Sequence, residues 1–290
     1  MRRGEVLERK RHSFKRNRLN ELTGSQWLFF TNTIWETAVP PDCTHHLRKA
    51  HGAMKPPEAM AELIRFFTCR KERVLDPFAG VGGILLGAEL ECRIAFGVEI
   101  NKRWVEIFER IKSQYGIYKK SIVPLNGSRK SVRTIRASMV CMSCLTFLEE
   151  AEPESFHAIV TDPPYGIEHK PKGFKEETNF SMTSSSPQDF GNASSLEQYL
   201  ELMGRFGSLA RKVLKPRRYL VILVGDRYMS GEYVPLGVRV ADVLRDCGFE
   251  LKGIKIWWNK TTLRPLRPYA VGSCFVPNIT HQNVLILRKR

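Results

Sequence analysis

The stretch Arg73-Val-Leu-Asp-Pro-Phe-Ala-Gly-Val-Gly-Gly-Ile-Leu-Leu-Gly-Ala88 constrains the fold more than any other part of the chain. Val74 and Leu75 read as a short buried strand, Asp76 to Gly83 as a tight turn, and Ile84 onward as a helix. Glycines at Gly80, Gly82 and Gly83 permit the sharp strand-to-helix reversal and let the backbone approach a ligand closely. A second strand, Ile94 to Glu99, follows. It places Glu99 about twenty residues past the turn, where dinucleotide-type folds put an acid on ribose hydroxyls. The rival reading is a nucleotide-phosphate loop. No Gly-Lys-Ser/Thr closes the turn, so the phosphate pattern is absent.

A second stretch has the same logic. Ile159-Val-Thr161 leads into Asp162-Pro163-Pro164-Tyr165-Gly166, a strand ending in a stiff loop. The prolines fix φ and lack an N–H, so the loop neither extends the ladder nor starts a helix. Their carbonyls stay free to accept. Asp162 adds a carboxylate acceptor and Tyr165 a flat aromatic face. Acceptors beside a stacking platform suit a planar group carrying an exocyclic NH2, such as adenine, cytosine or guanine.

Elsewhere strands alternate with helices, which predicts an α/β fold with a doubly wound, mostly parallel sheet. Pro56-Pro57 open a helix with Met60, Leu63, Ile64 and Phe67 on one face. Thr23 or Ser25 caps a short helix carrying Trp27, Phe29 and Phe30. Residues 101–114 form an amphipathic helix with Trp104, Ile107, Phe108 and Ile111 inward. Residues 115–138 read as a basic loop and 168–195 as a polar, mobile segment. A helix over 196–214 turns Leu200, Met203, Phe206 and Leu209 inward. The apolar strand 219–226 follows, then a helix within 234–248 with Val238 to Leu244 as its core. Strands 249–258 and 284–287 form a C-terminal hairpin around loop 259–283.

Composition narrows the partners. With 46 Lys and Arg against 30 Asp and Glu, the formal charge is +16, which favours a polyanion. Lys170, Lys172, Lys175, Lys260, Arg264, Arg267 and Tyr269 interleave basic and aromatic side chains as nucleic-acid contacts require. The expected organisation is a basic arm over 1–18 and one domain over 19–290, with no separate target-recognition domain. The seven cysteines show no pairing framework, which fits a reducing, cytoplasmic setting. Cys141 and Cys144 form a lone CxxC without a second pair, so two half-buried thiols on a strand are expected rather than a metal site. His45, His46 and His51 lack supporting carboxylates and read as polar loop histidines. No metal is expected. No run of eighteen apolar residues suggests a membrane span, and the basic N-terminus lacks a signal's apolar core.

Asp162-Pro163-Pro164-Tyr165 resembles the signature of S-adenosylmethionine-dependent amino-methyltransferases. The string Asp76-Pro77-Phe78-Ala79-Gly80-Val81-Gly82-Gly83 resembles their cofactor loop. With Lys55-Pro56 ahead, the order over residues 55–290 is similar to that of bacterial and phage DNA methyltransferases of the N6-adenine or N4-cytosine type. The resemblance implies S-adenosylmethionine as cofactor, held by Lys55, Pro56, Asp76, Pro77, Phe78, Ala79, Gly80, Gly82, Gly83, Glu99, Ile100, Ser143 and Asp162. Lys55-Pro56 would close over its methionine end. It implies Asp162, Pro163, Pro164 and Tyr165 as the catalytic loop, in a nucleoid-associated enzyme if the source is bacterial. The sulfonium is already activated, so the transfer needs no metal.

Asp in the first motif position is commoner in adenine enzymes, which favours N6 of adenine in DNA over N4 of cytosine. At the position where the family usually has an Asp near the adenine amino group, this chain has Ser143, a weaker acceptor. Asp-Pro-Pro-Tyr-Gly also resembles RNA guanine-N2 methyltransferases, the runner-up reading. A catalytically silent nucleic-acid-binding subunit is the third. A homodimer or a separate specificity subunit would be the partner that supplies recognition beyond the loops.

Overall fold

The computed structural model describes residues 17–126, 131–165, 184–261 and 266–290. Its centre is an eight-stranded sheet. The strands are β1 (Ile34–Thr37), β2 (Arg73–Asp76), β3 (Ile94–Glu99), β7 (Ser138–Cys141), β8 (Phe156–Thr161), β9 (Leu214–Val224), β12 (Phe249–Asn259) and β13 (Gln282–Lys289). The intervening strands form two smaller sheets: β4 (Tyr115–Tyr118), β5 (Ser121–Pro124) and β6 (Arg133–Thr134) make one, and β10 (Arg227–Met229) and β11 (Glu232–Val234) the other. The order across the large sheet is β1-β12-β13-β9-β8-β2-β3-β7. Strands β9, β8, β2, β3 and β7 pair in parallel, as do β1 and β12. Only β13 runs against both its neighbours, β9 and β12. The expected mostly parallel sheet with a C-terminal hairpin is therefore present.

Alternation along the central strands divides the core in two. Val74, Ala158, Val160, Val221, Leu223 and Val284 face one side, with α3 (Pro57–Phe67), α4 (Gly83–Leu90) and α5 (Lys102–Gln114). Leu75, Ile159, Leu220, Ile222, Val224 and Leu285 face the other, with α6 (Cys144–Glu150), α7 (Leu196–Val213) and α8 (Leu236–Asp246). Both faces are covered, so the strands are apolar at nearly every position rather than alternating with polar residues. Each fully buried aliphatic side chain in these layers contributes about 1.5–3 kcal/mol.

Several local expectations hold. Thr23, rather than Ser25, caps α1 (Gly24–Phe30), in a reciprocal capping box with Gln26, and the helix expected over 101–114 is α5, with Asn101 accepting from the Arg103 N–H at its start. Others do not. The stretch 115–138 is not a basic loop, because β4 pairs antiparallel with both β5 and β6 there. Tyr115, Ile117 and Ile122 are the buried hydrophobic side chains of that small sheet, a pattern too short to stand out against the surrounding charge. His45 and His46 lie on α2 (His45–Arg48), a single helical turn, rather than in a loop. Phe29 is 84% exposed and Val238 50% exposed, so neither belongs to the core of its helix. The expected helix over 196–214 ends at Val213, and the strand expected from 219 begins earlier, with Leu214. Cys141 and Cys144 straddle the turn from β7 into α6 rather than sharing a strand; Cys141 is exposed, and burial pushes the Cys144 thiol up.

Candidate active site

Two loops leave neighbouring parallel strands at their carboxyl ends, β2 into residues 77–82 and β8 into residues 162–165. In the first, Gly80 (φ +51°) and Gly82 (φ +79°) occupy the left-handed region that L side chains rarely enter. A Cβ on Gly82 would stand 2.2 Å from the Phe108 ring, and one on Gly83 would stand 2.4 Å from the Lys55 carbonyl oxygen. The loop is thus wedged between α5 and the residues that enter α3. Glu99, at the end of β3, accepts the Gly80 N–H (2.7 Å) and the Asn101 N–H (2.8 Å). It ties the loop to the next strand, and each oxygen keeps a second lone pair.

Burial pushes the Glu99 carboxyl up to about 7, against the pull of its backbone N–H partners. Asp76 is also pushed up to about 7 by burial, and accepts the Thr161 hydroxyl (2.7 Å) and the Phe78 N–H (3.2 Å). The Thr161 contact joins the ends of the two strands from which the loops leave.

Asp162 forms an ion pair with Lys55, and the two side chains are only 15% and 10% exposed. Its Oδ1 is buried and accepts no hydrogen bond. Burial pushes the Asp162 carboxyl up, opposed by the Lys55 ammonium and the nearby Gln282 amide. Pro163 is buried and Pro164 half-buried. Tyr165 is clamped from behind. Its hydroxyl accepts from Gln282 Nε2 (2.9 Å), its carbonyl accepts from Arg227, and the Arg227 guanidinium lies 6.0 Å from its ring centre. A Cβ on Gly225 would lie 3.3 Å from the hydroxyl, so the glycine makes room for the ring.

Ser143 precedes α6 beside Glu99, because Met142 donates to the Glu99 carbonyl (3.0 Å). Its Oγ is buried and unpartnered and does not cap the helix. Ile100 is half-buried. Phe78 meets Phe190 edge to face at 4.9 Å. Phe190 belongs to a turn that Asp189 organises by accepting the N–H groups of Ser184 (2.6 Å) and Gly191 (2.9 Å). Within 184–195 the residues Asp189 to Gly191 and Ala193 are buried, so this polar stretch contains a turn packed beside the site. The buried Phe190 and Ala193 are diluted there by serine and glycine, which hides them from a compositional reading. Residues 168–183 lie outside the described residues.

His51 is not an exposed loop histidine either. Its ring packs at 4.9 Å against Trp104, and the position of a Gly80 Cβ lies 3.0 Å from its Nε2. Burial first, and Lys55 second, push its pKa down to about 4, so it is neutral, with Nδ1 unpartnered. His51, Phe190, Arg227 and Gln282 are neighbours of the site that motif reading missed. None belongs to a motif; only the polar triplet His281-Gln282-Asn283 ahead of an apolar strand hints at Gln282.

The expected nucleic-acid contacts are less concentrated. Lys260 pairs with Glu36 and lies 4.9 Å from the Trp258 ring, at the β1–β12 edge. The Arg267 backbone exchanges two hydrogen bonds with the Asn278 side chain (2.9 and 3.0 Å), which closes the loop on itself. That loop exposes the aromatic side chains of Tyr269 and Phe275, and it returns directly to Gln282 beside Tyr165. Lys170, Lys172, Lys175 and Arg264 lie outside the described residues. Among the described residues no cluster of His, Cys, Asp and Glu could hold a metal ion, and no helix is long and apolar enough to cross a membrane.

A family model for DNA methylases of the N6/N4 type matches residues 5–110 and 156–290. The chain is 32% identical over 126 residues to a tRNA (guanine(10)-N2)-dimethyltransferase of Methanothermobacter thermautotrophicus, covering 43% of this chain and 32% of that protein. It is 35% identical over 130 residues to the protein of the same name from Methanocaldococcus jannaschii, covering 44% and 34%. The match thus spans about a third of the length of these relatives. Among solved structures, TrmN from Thermus thermophilus aligns over 85% of this chain and 53% of its own, at 14% identity and a TM-score of 0.49.

Proposed function

Since the chain belongs to the DNA methylase family, we propose that it transfers a methyl group from S-adenosylmethionine to an exocyclic amino nitrogen of a nucleic-acid base, with N6 of adenine in DNA as the first choice and N4 of cytosine as the second. One observation carries the reading: a buried carboxylate, Asp162, keeps Oδ1 open between the glycine loop and a Tyr165 locked by two side chains. In this proposal residues 19–290 act as a single methyltransferase unit.

The residues present fit the cofactor. The glycine turn is packed too closely against His51, Phe108 and the Lys55 carbonyl to carry side chains, Glu99 retains lone pairs for ribose hydroxyls, and Ser143 Oγ is a buried hydroxyl without a partner. When bound, S-adenosylmethionine supplies a methyl group already activated by its sulfonium. The chain's task is then to prepare the amine, whose lone pair is delocalised into the base. Asp162 Oδ1 accepts one N–H and the Pro163 carbonyl accepts the other, which localises the lone pair and orients it. Tyr165 stacks on the base, its plane held by Gln282 and Arg227. A paired base in a duplex must first be flipped out, and stacking on Tyr165 offsets part of that cost.

The test is to incubate the protein with labelled S-adenosylmethionine and, separately, duplex DNA and total RNA, then identify the labelled nucleoside. N6-methyladenine or N4-methylcytosine from DNA supports the reading and selects the base. N2-methylguanine from RNA selects the second reading, which the likeness to tRNA (guanine(10)-N2)-dimethyltransferases favours. Failure to bind the cofactor would sink both.

Cofactor affinity should depend on pH. Glu99 titrates at about 7, and its ionised form is the better acceptor for a ribose diol. The dissociation constant should fall about tenfold between roughly pH 6 and pH 8 if only the ionised form binds. Glu99→Gln should lose most of that slope in calorimetry. Stability of the ligand-free protein runs the other way. Asp76 and Glu99 have folded pKa values raised above the ordinary carboxylate range, so their contribution is complete below that range and is lost as pH rises through about 7.

A further inference from the structure

The Lys55 backbone and side chain face different things. Its carbonyl abuts Gly83 and accepts from Arg48 Nη1 (3.0 Å), which a buried ion pair with Asp42 and a bond to Thr44 Oγ1 (2.9 Å) hold in place. The side chain turns away from that contact to the Asp162 carboxylate, in the loop that leaves β8 107 residues later. Lys55 takes Oδ2; Oδ1 is buried without a hydrogen-bond partner, while the Gln282 amide also favours the charged carboxylate.

We propose that Lys55 is a positioning residue of the transfer centre, not a clamp on the methionine end of the cofactor: its ammonium is the standing counter-ion of Asp162, occupying Oδ2 and leaving Oδ1 for an N–H of the substrate amine. This rests on the proposed amino-methyl transfer for the use of Oδ1, whereas the ion pair can be tested without turnover. A carboxylate this desolvated would otherwise favour its protonated form, and a protonated Asp162 would lose much of its accepting power. The other ionisable groups around it cannot replace Lys55. Asp76, from β2, and Tyr199 of α7 carry no positive charge to offer, and the Asp162 charge itself helps push both groups up. Tyr165 has its hydroxyl engaged by Gln282, and Arg227 is engaged by the Tyr165 carbonyl. Arg48 is turned to Asp42. Lys55 is thus the cation that pairs with Asp162 among the described residues.

The experiment compares the full chain with Lys55→Met, which keeps the apolar stem, and Lys55→Arg, which restores the charge. Carbon-13 NMR of labelled Asp carboxyls, with the Asp162 signal assigned by its loss in Asp162→Asn, follows its titration without substrate. The midpoint should rise by at least about one pH unit in Lys55→Met and return towards the wild-type value in Lys55→Arg. Calorimetric affinity for S-adenosylmethionine should stay within about threefold, because the Lys55 backbone still supports Gly83. In the methylation assay at saturating cofactor, kcat should fall about a hundredfold, with its acid limb moved to higher pH. An unchanged Asp162 midpoint overturns the proposal, as does cofactor affinity weakened more than about tenfold with kcat intact, which would restore the methionine-end role. If Lys55→Met does not fold, the same titration in Lys55→Gln decides. A wild-type protein that methylates neither DNA nor RNA would count against the proposed function, while the NMR titration would still decide the ion pair.

Discussion

Asp162→Asn should reduce methyl transfer by at least about a thousandfold while leaving S-adenosylmethionine binding nearly unchanged. The reason is geometric. The carboxylate sits at the end of β8, its Oδ1 open, beside the loop that the glycine turn and Glu99 shape on the adjoining strands. The amide retains the volume and one acceptor oxygen but brings an N–H donor and no negative charge, so it localises the amine's lone pair poorly. Asp162→Ala should abolish transfer altogether, and it has a second effect. It leaves Lys55, only 10% exposed, without its partner, which should cost about 3 kcal/mol of stability, as breaking a mostly buried pair does. Calorimetric titration with cofactor, single-turnover methylation and urea unfolding on both variants separate the two losses. Turnover retained in either variant would refute the mechanism.

Gly82→Ala should have the second-largest effect, on folding and cofactor binding together. At φ +79° any L residue is strained, and the new methyl would lie 2.2 Å from Phe108, a ring with no exposed surface in the core between α5 and the sheet. Left-handed strain and overpacking together should destabilise the protein by about 3 kcal/mol. Because Gly80 to Gly83 must shift to relieve the clash, cofactor affinity should drop by at least about tenfold. Gly253→Ala is the matched control: a Cβ there meets nothing within 4 Å, so stability should stay within about 0.5 kcal/mol. Equal midpoints for the two variants in urea would refute the packing argument.

What was legible in the sequence was local. The strand Ile94–Glu99 ends at its expected acid, Thr23, one of the two expected caps, caps its helix, and the reversal at Asp76–Gly83 follows from where glycines stand. Each depends on neighbours within a few turns of chain, where periodicity, backbone freedom and capping chemistry act directly. The apolar runs also implied a sheet covered on both faces, since no polar face interrupts them.

The rest depended on residues distant in sequence. Edge strand β1 is defined by pairing with β12, whose register joins Ile34 to Ile256. Phe29 and Val238 point outward because nothing packs over them, a fact their own helices do not encode. Lys55 carries a motif that points to the cofactor, yet its ammonium reaches Asp162; Gln282 clamps a tyrosine 117 residues earlier. The sequence by itself determined which residue types could bind a cofactor and grip an amine. The tertiary structure alone decided which of them share a buried, poorly screened space, because the burial that shifts Asp76, Glu99 and Asp162 and makes the Lys55 pair matter exists only once the sheet has assembled.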